Sequence, residues 1–275
     1  MFHGTEMPSF GDIWREMKRD SSGRISPRYI DDALERKFWM HYMHTQGQNG
    51  PDRYSLDVWA AVKEILGDNY YSSITEVGPG WGNYTFNLAE CCKSLTCVDI
   101  SPDVLRYIRQ TGADHGFTIR TCNTKWEDYT GKPSEVLFAF NCFYRMEDIE
   151  ECLRKMDRSA TRLHIIGMTS GPEQEYLVEL HEELGLPIRF HRLDYILLLN
   201  VLYQLGIDCN VRMVDVSRDI VFTDLDSAVR KISRRILTDE YDLQAVRRVV
   251  RRHLVEGEDG LLHYVHRFKA ALIHW

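Results

Sequence analysis

A short glycine-rich segment, residues 76–82, has the residue types and spacing in this sequence most suited to chemistry. It reads Glu-Val-Gly-Pro-Gly-Trp-Gly, with Gly78, Gly80 and Gly82 at alternate positions. Glycines at this spacing let the backbone turn sharply and approach a ligand without interference from a Cβ atom. A helix predicted to begin near Gly82 would point its free N–H groups at the same ligand. We therefore expect a small-molecule site at this loop.

An acidic residue follows this loop at a distance typical of a ribose-binding carboxylate. Asp99 stands nineteen residues after Gly80 and ends the apolar segment 95–98. A carboxylate at the end of the second strand can accept hydrogen bonds from both hydroxyls of a ribose. The alternative role is to cap a helix predicted to begin near Pro102, where acids are also common.

The spacing of the glycines and a further acid, Glu76, limit the kinds of ligand that this loop could bind. Dinucleotide sites use G-x-G-x-x-G, whereas this loop has G-x-G-x-G with Glu76 two positions before the first glycine. A carboxylate at that place would repel a pyrophosphate and attract an ammonium group. These residues favour a ligand with a ribose, no phosphate and a cationic end, and S-adenosylmethionine fits that description.

The sequence around these residues resembles the class I S-adenosylmethionine-dependent methyltransferases. The resemblance rests on segment 76–82, on Val-Asp-Ile-Ser-Pro at 98–102 and on Trp-Glu-Asp at 126–128, and it covers about residues 55–170. It implies that the glycine loop holds the methionine part of the cofactor and that Asp99 binds the ribose. The residues assigned to the cofactor are Glu76, Gly78, Pro79, Gly80, Gly82, Asp99, Ile100, Lys125, Trp126, Glu127, Asn141 and Phe143.

The sequence departs from the family pattern around the fourth predicted strand. The acid that often begins this strand is represented only by Glu135, and the strand is followed by Asn-Cys-Phe-Tyr-Arg at 141–145. Family members that methylate exocyclic nitrogens carry a sequence like Asn-Pro-Pro-Tyr there, so a base-modifying activity is disfavoured. Tyr144 is the candidate catalytic residue, because open α/β sheets place their sites at this edge. Packing of Tyr144 against the cofactor is the alternative.

The composition predicts a globular protein with a sizeable core. The chain has 275 residues, 44% hydrophobic and 27% charged, and its 34 Lys and Arg against 41 Asp and Glu give a net charge of −7. This charge argues against an indiscriminate binder of nucleic acid. There is no basic-then-apolar leader and no apolar run of ~20 residues, so we expect a cytoplasmic protein that does not span a membrane. The seven cysteines contain no C-x-x-C pair, and we expect no metal site.

The pattern of apolar residues predicts the elements that position these segments. From residue 74 onward, short apolar runs alternate with helical stretches, which is typical of crossover connections and a parallel sheet. We predict a Rossmann-like, doubly wound α/β domain over residues 55–275, with an N-terminal helical cap at 1–54 and a helical insertion at 224–254. The family resemblance adds a mostly parallel sheet of seven strands whose last strand is antiparallel.

Two basic stretches in the predicted insertion leave two interpretations open. One is a solvated surface balanced by neighbouring acids, and the other is a surface that helps to bind an anionic substrate. Pairs of cationic residues recur four positions apart, which places them on one helical face. The residues are Arg230, Lys231, Arg234, Arg235, Arg247, Arg248, Arg251 and Arg252.

Three functional hypotheses follow from these observations. The leading one is a methyltransferase that acts on a small-molecule substrate by in-line methyl transfer. A cofactor-binding regulatory or scaffold protein without catalysis is the second, and it predicts that residues 1–54 plug the crevice. The third is an RNA methyltransferase, which the acidic net charge disfavours.

Overall fold

The structure, a computed structural model, describes residues 8–20, 22–46, 53–190 and 193–275. The prediction that the chain has no leader concerns its first residues, and residues 1–7 lie outside the described residues. Within the described ranges, none of the helices is both long enough and apolar enough to cross a membrane.

One mixed sheet forms the centre of the fold. Its strands are β1 (Ile74–Val77), β2 (Leu95–Asp99), β3 (Ile119–Asn123), β4 (Ser134–Phe140), β5 (Ala160–Ser170), β6 (Asn210–Phe222), β7 (Val255–Glu256) and β8 (Leu262–His274). Their order is β3-β2-β1-β4-β5-β8-β6, and the short β7 pairs with β8. Strands β1 to β5 are parallel, whereas β8 runs antiparallel to both β5 and β6. The predicted mostly parallel α/β sheet with an antiparallel last strand is confirmed, with β7 as an eighth, two-residue strand.

Helices precede the sheet, connect its parallel strands and follow β5 and β6. They are α1 (Phe10–Met17), α2 (Pro27–Ile30), α3 (Asp32–Gln46), α4 (Tyr54–Leu66), α5 (Thr85–Glu90), α6 (Pro102–Asp114), α7 (Ile149–Arg158), α8 (Glu175–Glu182), α9 (Tyr195–Gln204), α10 (Leu225–Ser233) and α11 (Leu243–Arg252). Several begin with the residues that physical chemistry favours there. Ser101, for example, caps α6 by accepting a hydrogen bond from the backbone N–H of Val104.

The sheet is buried on both faces, as parallel sheets generally are. Successive side chains of a strand point to opposite faces. In β4, Val136 and Phe138 belong to the core that the sheet forms with α4, α5 and α6. Leu137 and Ala139 belong to the core on the other face, which includes residues of α1, α7 and α9. Helices therefore cover both faces, and the carboxyl ends of the parallel strands remain as the edge at which a site can form.

A third core lies away from the parallel strands. It joins apolar residues of α8, α10 and α11 to the outer ends of β6 and β8, represented by Phe222 and Tyr264. The range predicted for the insertion, 224–254, contains α10 and α11 and ends one residue before β7, and α8 packs against α11 although the sequence pattern does not indicate this. The division of the chain into a cap at 1–54 and a domain at 55–275 stays a prediction.

Candidate active site

A cavity of about 600 Å³ lies at the carboxyl ends of β1, β2 and β4, and we call it the main cavity. Its volume falls within the range of small-molecule sites in proteins. Eleven of the thirteen predicted site residues line it: Glu76, Gly78, Pro79, Gly80, Asp99, Ile100, Lys125, Trp126, Glu127, Asn141 and Tyr144.

The other two predicted residues, Gly82 and Phe143, pack into the protein instead. A Cβ atom at Gly82 would lie 2.8 Å from the ring of Phe86 and 3.0 Å from Ile108, so this glycine permits close packing of the loop on α5 and α6. Phe143 is fully buried in the core that contains Ile149. The structure therefore brings neither residue to the wall of the main cavity.

The glycine loop has a backbone conformation that requires its glycines. Gly78 and Gly80 have φ angles of 66° and 55°, in the left-handed region that side chains disfavour. A Cβ atom at Gly78 would lie 2.4 Å from the Cβ atom of Cys142, and one at Gly80 would lie 3.1 Å from the ring of Trp39. The loop therefore passes closely between the end of β4 and helix α3.

Glu76 is the more deeply buried of the two acids at the carboxyl ends of β1 and β2. It is 1% exposed, and the hydroxyl of Thr85 donates a hydrogen bond to its Oε2 atom over 2.6 Å. Burial raises the pKa of Glu76 to about 7, and the negative charge of nearby Asp99 raises it further, while Thr85 and Cys97 lower it. A cationic ligand group would stabilise the ionised carboxylate.

Asp99 is the second acid, at the end of β2. Its Oδ1 atom accepts a hydrogen bond from the backbone N–H of Ser101 over 2.7 Å. Burial raises the pKa of Asp99 to about 7, and the hydrogen bond from Ser101 opposes this effect. Ser101 caps α6, so Asp99 supports the cap without being the capping residue itself.

The predicted adenine-side residues also line the main cavity. The indole of Trp126 is buried and donates a hydrogen bond to the carbonyl of Cys152 over 3.1 Å, which fixes it against α7. Lys125 forms an ion pair with Asp32 of α3 at 3.0 Å. The hydrogen bond thus fixes Trp126 on one side of the main cavity, and the ion pair holds the neighbouring Lys125 against α3.

Asn141 turns the chain from β4 toward Tyr144. It has a φ angle of 53°, which is uncommon for a residue other than glycine, and its Oδ1 atom accepts a hydrogen bond from the backbone N–H of Thr169 over 2.8 Å. Backbone held in such a region often marks a functional site. This turn leads into a short 3-10 helix at Phe143–Arg145, which places Tyr144 on the cavity and Phe143 in the core.

The sequence analysis missed Glu35, which lies on α3 and lines the main cavity. It is 1% exposed, and its carboxylate accepts hydrogen bonds from three side chains. The donors are the hydroxyl of Tyr144 at 2.6 Å, the indole of Trp39 at 2.9 Å and the guanidinium of Arg28 at 2.8 Å. The spacing of Glu35 and Trp39, four residues apart on a predicted helix, was the available indication.

Burial and the contact with Glu35 both favour the protonated form of Tyr144. Burial raises the pKa of Tyr144 above its usual range, and the neighbouring carboxylate of Glu35 raises it further. The phenol therefore keeps its proton at neutral pH and donates a hydrogen bond to Glu35. Its oxygen still has lone pairs that can accept a hydrogen bond from a ligand.

Arg145 forms a second connection between the end of β4 and the cap. Its guanidinium donates to the carbonyl of Arg28 and to the carboxylate of Asp32. Asp32 therefore binds Arg145 and Lys125 together. The cap encloses the main cavity through these contacts and those of Glu35.

Four of the eight basic residues highlighted in the insertion, Arg235, Arg247, Arg248 and Arg252, pair with acids. Arg247 pairs with Asp226, and Arg252 lies 2.7 Å from the carboxylate of Glu183. This supports a solvated, charge-balanced surface for α11. In the described part of the chain, no three His, Cys, Asp or Glu side chains lie together in a way that could hold a metal ion.

Comparisons with known proteins agree with this arrangement. Residues 74–162 match a family model described as a methyltransferase domain. No curated protein matches the chain in sequence.

Three solved structures illustrate the likeness in fold. The protein BH2331 of Bacillus halodurans is 14% identical with a TM-score of 0.52, covering 78% of this chain and 96% of that one. YcgJ of Bacillus subtilis is 11% identical with a TM-score of 0.53, covering 78% and 95%. DhpI, solved as a complex with SAM and HEP, is 14% identical with a TM-score of 0.51, covering 69% and 94%. Such low identities show a shared fold alone.

Proposed function

We propose that this chain, whose residues 74–162 match a methyltransferase domain, is a class I S-adenosylmethionine-dependent methyltransferase that acts on a small molecule. The observation that supports this proposal best is the main cavity itself. It brings the acids Glu76 and Asp99 together with Tyr144 in one space of about 600 Å³.

The chemistry of the two acids suits the cofactor. Glu76 is buried and Asp99 is half-buried, and neither forms an ion pair with a described Lys, Arg or His. Glu76 would hold the ammonium group of S-adenosylmethionine, and Asp99 would accept hydrogen bonds from its ribose hydroxyls. The cofactor supplies a methyl group activated by a positively charged sulfur. The residues present therefore fit this ligand.

The protein's own residues then need to orient the acceptor and exclude water. The nucleophile is the acceptor atom of the substrate, whose lone pair forms the bond to the methyl carbon as the bond to sulfur breaks, and alignment of these reactants can contribute roughly 7–11 kcal/mol. Tyr144 is suited to this role, because Glu35 fixes its hydroxyl and leaves its oxygen to accept a hydrogen bond from the acceptor group. The cap residues Trp39 and Tyr42 cover the same cavity and would exclude water.

The regulatory alternative predicts a crevice plugged by the cap. Residues 25–42 contribute to the wall of the main cavity, yet its volume remains open beneath them. This favours catalysis over a purely regulatory role. The RNA alternative finds little support in the insertion, where three of the four arginines of α11 pair with acids and the fourth, Arg251, donates a hydrogen bond to the carbonyl of Leu254.

Two measurements test the proposed function. Calorimetric titration with S-adenosylhomocysteine should give saturable binding, and an absence of binding would contradict the proposal. Incubation of the protein with methyl-labelled cofactor and a mixed panel of small acids, phenols and amines should then yield labelled products of low mass. Label recovered only in added RNA would favour the third hypothesis.

A further inference from the structure

A second cavity of about 380 Å³ lies beside the main cavity, and we call it the basic cavity. The N-terminal segment contributes residues 17–20, 24–27 and 29 to its wall, and the segments after α8 and α10 contribute Arg189 and Arg235. The backbone N–H of Arg189 donates to the carbonyl of Arg235, and Nε of Arg235 donates to the carbonyl of Arg189, both over 2.7 Å. These bonds hold the two arginines side by side.

Positive charge dominates the wall of the basic cavity. A single carboxylate, Asp20, lines it together with five cations, which are Lys18, Arg19, Arg24, Arg189 and Arg235. Asp20 is already engaged, because its Oδ1 atom accepts hydrogen bonds from the backbone N–H groups of Ser22 and Arg24 at 3.0 and 3.1 Å. Its Oδ2 atom lies 3.5 Å from Arg189. Two carboxylates outside the wall also lie near these cations, Glu16 at 3.5 Å from Arg19 and Glu173 at 3.7 Å from Arg235, so three acids face five cations among the described residues.

Two of these cations are partly withdrawn from water. Burial lowers the pKa of Lys18, whose ammonium donates to the neutral carbonyl of Met146 over 3.0 Å, and Glu147 opposes this effect. Burial also lowers the pKa of Arg235, whose nearest carboxylate, Glu173, lies 3.7 Å away. Removing these two charges from water costs free energy, and an anion bound in the basic cavity would reduce that cost.

The basic cavity and the main cavity share part of their walls. Lys18, Arg19, Ile25 and Tyr29 line both. The ring of Tyr29 also lies 5.3 Å from the ring of Tyr144, measured between centroids. A ligand with one end at Tyr144 would therefore reach the basic cavity by passing along Tyr29 and Ile25.

We propose that the basic cavity binds an anionic group, a carboxylate or a phosphate, of the molecule that this protein methylates. The inference rests on the proposed function, because it places the acceptor atom at Tyr144. Arginine side chains match the geometry of both anions, since their planar fork can donate two parallel hydrogen bonds. Tyr29 and Ile25 would pack against the body of the substrate between its two polar ends. The substrate class is thus a small organic acid or phosphate ester.

Inorganic phosphate and acetate are the probes that test this site. We would titrate each into the full chain at constant ionic strength, with chloride as the balancing anion, and measure binding by calorimetry. We expect saturable binding of one of the two anions, and the preferred one identifies the group as phosphate or carboxylate. Arg189→Gln should raise the dissociation constant of that anion about tenfold, because a charge-assisted hydrogen bond is lost.

Arg24→Gln is the second variant, since Arg24 is exposed and its replacement leaves the packing intact. Arg230→Gln is the matched control, because Arg230 is an exposed arginine of α10 that does not line the basic cavity. Equal weakening in all three variants, or no saturable binding to the wild type, would overturn the proposal.

The same proteins should bind S-adenosylhomocysteine with unchanged affinity, with and without the anion. Competition between the two ligands would overturn the placement of the anion beside the cofactor. Phosphate or acetate binding that persists in a protein unable to bind S-adenosylhomocysteine would instead contradict the proposed function and leave the anion site standing.

Discussion

The glycine-loop wall of the main cavity and the wall contributed by α2 and α3 use acidic side chains in opposite ways. On the loop wall, Glu76 and Asp99 form no ion pair with a described cationic side chain, and burial raises the pKa of each to about 7. On the cap wall, Glu35 binds Arg28, and Asp32 binds both Arg145 and Lys125.

We interpret the acids without an ion pair as ligand-binding residues and the acids with an ion pair as structural residues. A buried carboxylate without a cationic partner lowers stability, so its presence calls for a functional explanation. A buried carboxylate with a cationic partner needs no functional explanation, because the ion pair offsets the cost of burying the charge. We therefore expect substitutions on the loop wall to change ligand affinity and substitutions on the cap wall to change turnover or stability.

Asp99→Ala should have the largest effect. Two charge-assisted hydrogen bonds to the ribose, each worth about 1.5–3 kcal/mol, would be lost, so the dissociation constant of S-adenosylhomocysteine should rise at least tens-fold. Calorimetric titration measures this change. Unchanged affinity would show that Asp99 serves only to support the Ser101 cap, and a melting curve of the same variant would report that role.

Tyr144→Phe should have the next largest effect, and on turnover alone. Removal of the hydroxyl leaves the ring in place but takes away the group that orients the acceptor, so kcat should fall about thirtyfold, equivalent to about 2 kcal/mol. Affinity for S-adenosylhomocysteine should stay within about threefold of the wild type. Glu35→Gln, which keeps a hydrogen-bond acceptor next to Tyr144, is the matched control and should retain more activity. An equal loss of cofactor affinity in Tyr144→Phe would place this residue at the cofactor.

Cofactor binding should strengthen as the pH rises from 6 to 8. Both loop-wall acids have a pKa of about 7 in the free protein, and the bound ligand favours their ionised forms, so binding at low pH must release protons. The dissociation constant should fall about tenfold over this interval for each acid that must ionise. Titrations in buffers of different ionisation enthalpy would count the released protons. Glu76→Gln should show a shallower dependence, and an equally steep one would contradict the role of Glu76.

Lys125→Gln should have the smallest effect. Its ion pair with Asp32 is partly exposed, with side-chain exposures of 45% and 35%, so its contribution to the free energy of unfolding should be below about 1 kcal/mol. Chemical denaturation at low and high salt measures it, and salt should reduce the difference from the wild type. A loss of several kcal/mol would show that the cap depends on this pair far more than its exposure suggests.

The loop wall could be predicted from the sequence because its residues are close along the chain. Glu76, the three glycines and Asp99 lie within one strand–helix–strand unit, where local conformation and spacing determine the geometry. The contact between Tyr144 and Glu35 joins residues 109 positions apart, and no periodic pattern indicates such a contact. Local patterns therefore predicted residues that meet on the loop wall of the cavity and missed the acid on the cap wall.

The turn after β4 shows a second limit of sequence patterns. Phe143 and Tyr144 are adjacent, and both follow the strand that ends at the cavity, so the sequence predicts both as site residues. The 3-10 helix at Phe143–Arg145 rotates successive side chains in different directions, which buries Phe143 and leaves Tyr144 on the cavity. A one-residue difference of this kind depends on the exact turn, which spacing alone does not determine.

The long pairing of β6 with β8 has a consequence for which part of the protein unfolds locally. These strands pair over 13 residues each, whereas β5 reaches only the last part of β8, from Lys269 to His274. The part of β8 before Lys269 does not pair with β5. Together with the paired end of β6, it packs with α8, α10 and α11 in the third core. A unit with its own core can unfold locally while the rest stays folded. Backbone amides of α10 and α11 should therefore exchange with solvent deuterium sooner than those of β4, and the Arg189 and Arg235 side of the basic cavity would loosen with them.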